Sequence, residues 1–149
     1  MSNYLACVYA FLACVSFCFV FQLKKPAFIL AGSAIGAVAW AVYVWSAPLG
    51  SAAARNFLAT VVMSILAEVL ARWLKAPATI FLVIGIIPLV PGGGLYYTMD
   101  ALLSGDMPLF VEKGMSTAAC AGAIAVGVSM VTSVARILFQ KRKVNIERP

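Results

Sequence analysis

Apolar positions fall into long unbroken runs along this chain, separated by short polar punctuation, rather than into the alternating or 3.6-residue patterns of half-buried elements. Met1 to Leu23, Pro26 to Ala54, Pro77 to Met99 and Gly114 to Ala135 contain no Asp, Glu, Lys or Arg, and Asn56 to Leu74 contains only Glu68 and Arg72. A helix rising about 1.5 Å per residue needs about 20 apolar residues to cross about 30 Å of hydrocarbon, so each run is long enough to span a bilayer. The pattern predicts an all-α integral membrane protein, a single transmembrane domain over 1–149 with about five helices near 3–23, 27–47, 55–74, 77–104 and 114–140. The fourth is expected to be broken. Ile86-Ile87-Pro88-Leu89-Val90-Pro91-Gly92-Gly93-Gly94-Leu95-Tyr96-Tyr97 places two prolines and three glycines inside an apolar region. Proline removes a backbone donor and clashes with the preceding turn, and glycine frees the chain to leave helical geometry. From Pro77 to Val90 there is only about 21 Å of helix, so the break at Pro91 to Gly94 is expected within the membrane.

Composition removes the soluble alternative. With 64% hydrophobic and 11% charged residues and a mean hydropathy of +1.02, a soluble domain of this length would have no polar surface to present. The first run has no Lys or Arg before Lys24, so it lacks the basic n-region of a secretory signal and reads as a retained helix.

Basic residues orient the spans. Five crossings put Lys24, Lys25, Arg72, Lys75, Arg136, Lys141, Arg142, Lys143 and Arg148 on one side, against Arg55 and Lys113 on the other. The positive-inside rule then predicts an external N-terminus and a cytoplasmic C-terminus. The net charge of +6 calls for no nucleic acid, because its largest cluster lies where a tail meets anionic lipid headgroups.

Little here suits covalent chemistry. There is no histidine, and no hydrolase, Walker or dinucleotide motif, so no enzyme activity, catalytic residue or cofactor is expected. Cys7, Cys14, Cys18 and Cys120 lie in apolar runs and read as small buried hydrophobes rather than metal ligands. Small residues in the second helix (Gly32 to Ala39) and the last (Ala118, Gly122 to Gly127) predict close helix packing in both. Trp40, Tyr43, Trp45 and Trp73 sit near helix ends, where interfacial anchors belong.

The remaining polar residues form two groups. Glu68 and Arg72 stand four apart in the third helix; they fit either an ion pair at the membrane interface or an ion-coupling site, since ionisable groups in spans usually face a cavity or the bundle interior. The second group surrounds the break. Unwound backbone in a membrane must lie against protein or water, the design by which discontinuous helices of secondary transporters bind substrate. Pro91, Gly92, Gly93, Gly94, Tyr96, Tyr97 and Thr98 are therefore candidate substrate-binding residues, with a half-helix N-terminus expected near Leu95 to Tyr97 and suited to a carboxylate. Asp100 joins Glu68 and Arg72 as a candidate for proton or ion coupling.

Ala67-Glu68-Val69-Leu70-Ala71-Arg72-Trp73-Leu74-Lys75-Ala76-Pro77-Ala78-Thr79-Ile80-Phe81, running on into Ile87-Pro88-Leu89-Val90-Pro91-Gly92 and Tyr96, resembles the threonine/serine exporter family, in particular the short, membrane-only subunit of its split form. Family members usually carry less glycine after the Pro-Gly. The resemblance implies an inner-membrane exporter subunit, in bacteria, that pairs with a larger membrane subunit bearing a cytosolic N-terminal domain and draws energy from an ion gradient. It implies a small-molecule substrate, either small hydroxy amino acids or dicarboxylates such as succinate. A self-sufficient homo-oligomeric transporter and a non-transporting membrane scaffold are the other readings these residues allow.

Overall fold

Proline and glycine set most element boundaries in the computed structural model, which describes residues 2–144, with side chains over 5–138. Helices α1 (Ser2–Val20), α2 (Pro26–Trp45), α3 (Ala52–Trp73), α4 (Ala78–Ile86), α5 (Gly92–Leu103) and α6 (Met107–Val144) account for nearly all of it, with 3₁₀ turns at Ala47–Leu49 and Ile87–Leu89. Pro26 occupies the first position of α2, where a missing N–H costs nothing. Three helices end by one device. Gln22, Lys75 and Gly105 take positive φ of 55°, 49° and 75°, and the next amide in each case reaches back to a carbonyl five residues earlier: Leu23 to Cys18, Ala76 to Ala71 and Asp106 to Ala101. This closes the orphaned last carbonyls of α1, α3 and α5 and turns the chain sharply.

Pro26–Trp45, Ala52–Trp73 and Met107–Leu138 are each long and apolar enough to cross a membrane, Ala78–Leu89 with Gly92–Leu103 makes a fourth if the bent pair is one span, and Leu5–Val20 is a shorter apolar helix. The last helix starts at Met107, ahead of the apolar run that begins at Gly114. The cause is Asp106, whose Oδ1 accepts from the Leu109 amide at 3.0 Å and caps the helix before the Glu112–Lys113 pair.

Helices α1 to α4 form a bundle whose core joins Ile35 and Ala39 of α2, Ala59, Met63, Ala67 and Ala71 of α3, Phe81 of α4, Leu89 and Ile124 of α6. Small residues allow the close approaches. A Cβ on Gly85 would lie 2.8 Å from Ile35 and 2.9 Å from Met63, so α4 sits directly on α2 and α3. The small-residue segment of α2 is buried as expected, at Gly32, Ser33, Gly36 and Ala39. That of α6 is only half so: Gly127 packs on Thr60 of α3, whereas Ala118 is exposed and Gly122 has open space where a side chain would be. Gly127 lies on the α3-facing side of the helix and Gly122 does not. Trp45 and Trp73 project at helix ends, 86% and 82% exposed. The basic residues Lys141 to Arg148 fall outside the described side chains.

Candidate functional site

The break sits where three helices meet. Without an N–H on Pro88, the Ile84 carbonyl has no donor four residues on; it takes the Ile87 amide in a tighter turn and also accepts the Cys14 thiol at 3.5 Å. Gly36 of α2 leaves room for that thiol: a side chain there would collide with Cys14 Sγ and press on Pro88 at 3.4 Å. Cys14 is fully buried, so it fills space like a small hydrophobe and also satisfies a carbonyl freed by proline.

Beyond the 3₁₀ turn, Val90 and Pro91 take extended or irregular angles, and the axis turns by 50° between Ala78–Leu89 and Gly92–Leu103. Helix α5 resumes at Gly92, three residues before the N-terminus expected from the sequence, so all three glycines belong to its first turn. Within that turn the Gly92 amide bonds Val90 at 2.7 Å and the Leu95 amide bonds Pro91 at 3.1 Å, while the Gly93 and Gly94 amides donate to no main-chain carbonyl. Free amides at a helix start carry partial positive charge and suit an anionic group.

The three glycines differ sharply in surroundings. Gly92 and Gly93 face open space, but a Cβ on Gly94 would strike the Thr117 hydroxyl of α6. Around this contact Thr98 Oγ1 donates to the Gly94 carbonyl at 2.7 Å, Thr117 Oγ1 donates to the Lys113 carbonyl at 2.7 Å, and Thr98 packs toward Gly114. Pro91, Gly94 and Thr98 are half-buried, whereas Gly92, Gly93, Tyr96, Tyr97 and Asp100 are exposed. The two tyrosine rings meet edge to face, centroids 5.4 Å apart. Helix α5 packs chiefly on α6 and leaves its other faces bare.

Glu68 and Arg72 are elsewhere. Arg72 Nη1 pairs with Glu68 Oε2 at 2.7 Å and also donates to the Glu68 carbonyl; the Arg72 side chain is 34% exposed and that of Glu68 16%. They edge an apolar groove of about 300 Å³ between α3 and α6, lined among others by Ile65, Met130, Val134 and Leu138. From Thr117, at the glycine contact, to Met130 in this groove is about 20 Å of helix rise along α6. The break and the ion pair are therefore two separate polar regions that share α6.

Two features escaped the reading of the sequence. Thr117 forms one wall of the break although it lies in an apolar run with no motif around it. Asn56, Thr60 and Ser64 are buried on α3 at 4%, 0% and 0% exposure, and their four-residue spacing, ending at Glu68, was a legible signal. Among the described residues no group of His, Cys, Asp and Glu is placed to hold a metal.

Neither the curated proteins nor the solved structures searched contain a match to this chain. A family model described as "Threonine/Serine exporter, ThrE" matches residues 6–134, an interval that runs from most of α1 through most of α6 and includes the break, the Thr117 wall and the Glu68–Arg72 pair. An all-helical chain with several apolar spans, one of them bent at a proline-glycine break, matched over most of its length by the model of a transporter family, is a multi-pass membrane protein of the threonine/serine exporter family.

Proposed function

We propose that this chain is the small membrane subunit of a two-component secondary exporter in the bacterial inner membrane, moving small hydroxy amino acids of the threonine/serine kind with a larger partner subunit. The observation that carries the reading is the half-open glycine turn at the start of α5. Two main-chain amides there have no carbonyl acceptor, and Gly92 and Gly93 present backbone unobstructed by side chains. An amino-acid carboxylate fits such amides, the exposed hydroxyls of Tyr96 and Tyr97 are within the same two turns, and Asp100 offers a charge for the amino group. Pro91 and Thr98 hold the turn in place. Glu68, paired with Arg72, is the coupling carboxylate in this scheme, protonated and deprotonated as a proton moves against substrate; Asp100 is the other carboxylate able to do so.

A partner is part of the proposal because α5 is covered by α6 alone, and one thin hairpin cannot enclose a polar path. With the N-terminus outside and five crossings, the break lies nearer the outer face and Glu68 nearer the cytoplasm. Dicarboxylates such as succinate are the second substrate class, favoured by the same free amides.

Uptake of labelled serine, threonine and succinate into inverted vesicles tests this, comparing this chain alone with this chain plus its genomic neighbour, with and without a proton gradient. The expected outcome is gradient-dependent serine or threonine uptake requiring both chains. Uptake by this chain alone would replace the two-component reading with a homo-oligomer, and no uptake of any of the three would move the reading to a different substrate or a scaffold.

A further inference from the structure

Along the groove between α3 and α6, apolar walls lead from the middle of the span to a basic end. On α3 the groove extends from Val61 to Arg72 and on α6 from Met130 to Leu138. The stretch on α3 rises about 16 Å, half of a hydrocarbon core about 30 Å thick. Val61 lies midway along α3 and Arg72 in its last turn, so the groove covers the depth of one leaflet. It starts beside the tight contact of Gly127 with Thr60. Ile65, Val69, Val134 and Leu138 stand exposed along it; no other described helix covers these walls.

The cross-section selects the occupant. A volume of about 300 Å³ spread over about 16 Å leaves a mean section of about 20 Å², against about 80 Å² or more for an α-helix about 10–12 Å across. A transmembrane helix of another subunit is too thick to enter along its length. A single hydrocarbon chain, about 4–5 Å wide at van der Waals contact, fills the space, and bare walls would forfeit those dispersion contacts.

The polar end selects the headgroup. From the Thr60–Gly127 contact the two helices run in the same direction to Arg72 and Leu138. Arg72 is twelve residues along α3 from that contact and Arg136 nine along α6, within about one turn of the same height. Lys75 follows on the α3 side, and both Lys75 and Arg136 are exposed. Among the described residues only Glu68 brings negative charge to this end, since Asp100, Asp106 and Glu112 belong to α5, its following turn and the start of α6. Three cations against one carboxylate attract an anionic headgroup at the membrane surface. A guanidinium presents five N–H donors in a planar fork, so Arg72 can hold a phosphate oxygen while keeping Glu68.

We propose that this groove seats one anionic phospholipid, with an acyl chain between α3 and α6 and its phosphate at Arg72, Lys75 and Arg136. The site follows from the chain's spanning a membrane and is independent of what it transports.

Native mass spectrometry of the full chain released from detergent micelles tests this, with dioleoyl phosphatidylglycerol and dioleoyl phosphatidylcholine as competing probes. One phosphatidylglycerol per chain is expected to be retained, several-fold more tightly than phosphatidylcholine. Val134→Trp, which fills the groove, is expected to lower retention about tenfold. Met115→Trp, at a position 70% exposed on the first half of α6, is expected to leave it unchanged. Lys75→Gln/Arg136→Gln, at two exposed positions, is expected to reduce retention of phosphatidylglycerol to that of phosphatidylcholine. Circular dichroism checks that each variant keeps its helical content. Undiminished retention in Val134→Trp, or equal retention of the two lipids by the parent chain, would overturn the proposal. So would a dimer of this chain that excludes lipid, which would give the groove to a second copy.

Discussion

At the scale of single residues, the glycines in this chain are distinguished by what lies opposite them. Gly94 meets Thr117 and Gly36 meets Cys14, in both cases a short side chain on a neighbouring helix that leaves no room for a methyl group. Gly94→Ala is expected to lower the stability of the purified protein by about 1–3 kcal/mol through overpacking, and Thr117→Ala in the same chain to restore most of it. Thermal unfolding in detergent, followed by circular dichroism, checks this; a Gly94→Ala protein as stable as the parent would show that α5 and α6 can separate freely. Gly36→Ala should behave likewise, with Cys14→Ala as the compensating change, although that second variant also deprives the Ile84 carbonyl of a donor and so should rescue only in part. Gln22 offers the opposite case. It holds a left-handed conformation at φ 55°, so Gln22→Gly is expected to add about 1 kcal/mol of stability, read in the same melts.

At the scale of elements, the break was legible and its internal arrangement was not. Pro88, Pro91 and three glycines announce that a helix cannot run through, because proline has no amide to give and its ring excludes the previous turn. Nothing in that segment says where the helix resumes. Gly92 to Gly94 have weak helical preference, yet they form the first turn of α5 because Thr117 on α6 packs against Gly94 and the Thr98 hydroxyl returns to its carbonyl. A contact between residues far apart in sequence outweighed local propensity. The four-residue spacing of Asn56, Thr60 and Ser64 on α3 was visible and was missed because each member, taken singly, is an ordinary small polar residue. Burial, which only the packed helices reveal, gave it weight. The Glu68–Arg72 pair was readable from i, i+4 spacing alone.

The open pair in the glycine turn supplies a prediction at this scale. Gly92→Ala and Gly93→Ala meet no neighbour, so each should stabilise α5 by about 0.5–1 kcal/mol. If the turn is where a substrate reaches the backbone, the same substitutions should cut uptake in vesicles. A stabilised variant with undiminished uptake would move the substrate site away from the break.

At the scale of the whole molecule, the chain divides into a bundle of α1 to α4 with the second half of α6, and a hairpin of α5 with the first half of α6, joined at the break and along α6 itself. One exposed face of α5 is apolar, with Leu95, Met99 and Leu103 at 59%, 56% and 81% exposure, and in the two-component reading it is where a larger subunit or its lipid annulus would sit. Introducing Leu103→Cys and crosslinking within native membranes should then join this chain to the co-expressed larger subunit; crosslinks only between copies of this chain would favour the homo-oligomer. Glu68→Gln should preserve assembly and abolish the dependence of uptake on the proton gradient, and retention of that dependence would pass the coupling role to Asp100.

Helix α6 runs without interruption for 38 residues, with one half fastened to α5 at Thr117 and the other to α3 at Gly127. The hairpin is thus hung from two points, the joint at Pro91 and the stem of α6. It cannot pivot on the first without flexing the second. Any widening of the 50° angle has to be matched by curvature in α6 between those two fastenings, and Gly122, with nothing pressed against it, is the place in that interval where a helix bends at least cost. One continuous helix thus gives the glycine turn and the groove where Glu68 lies a common spine, although the two sites do not touch.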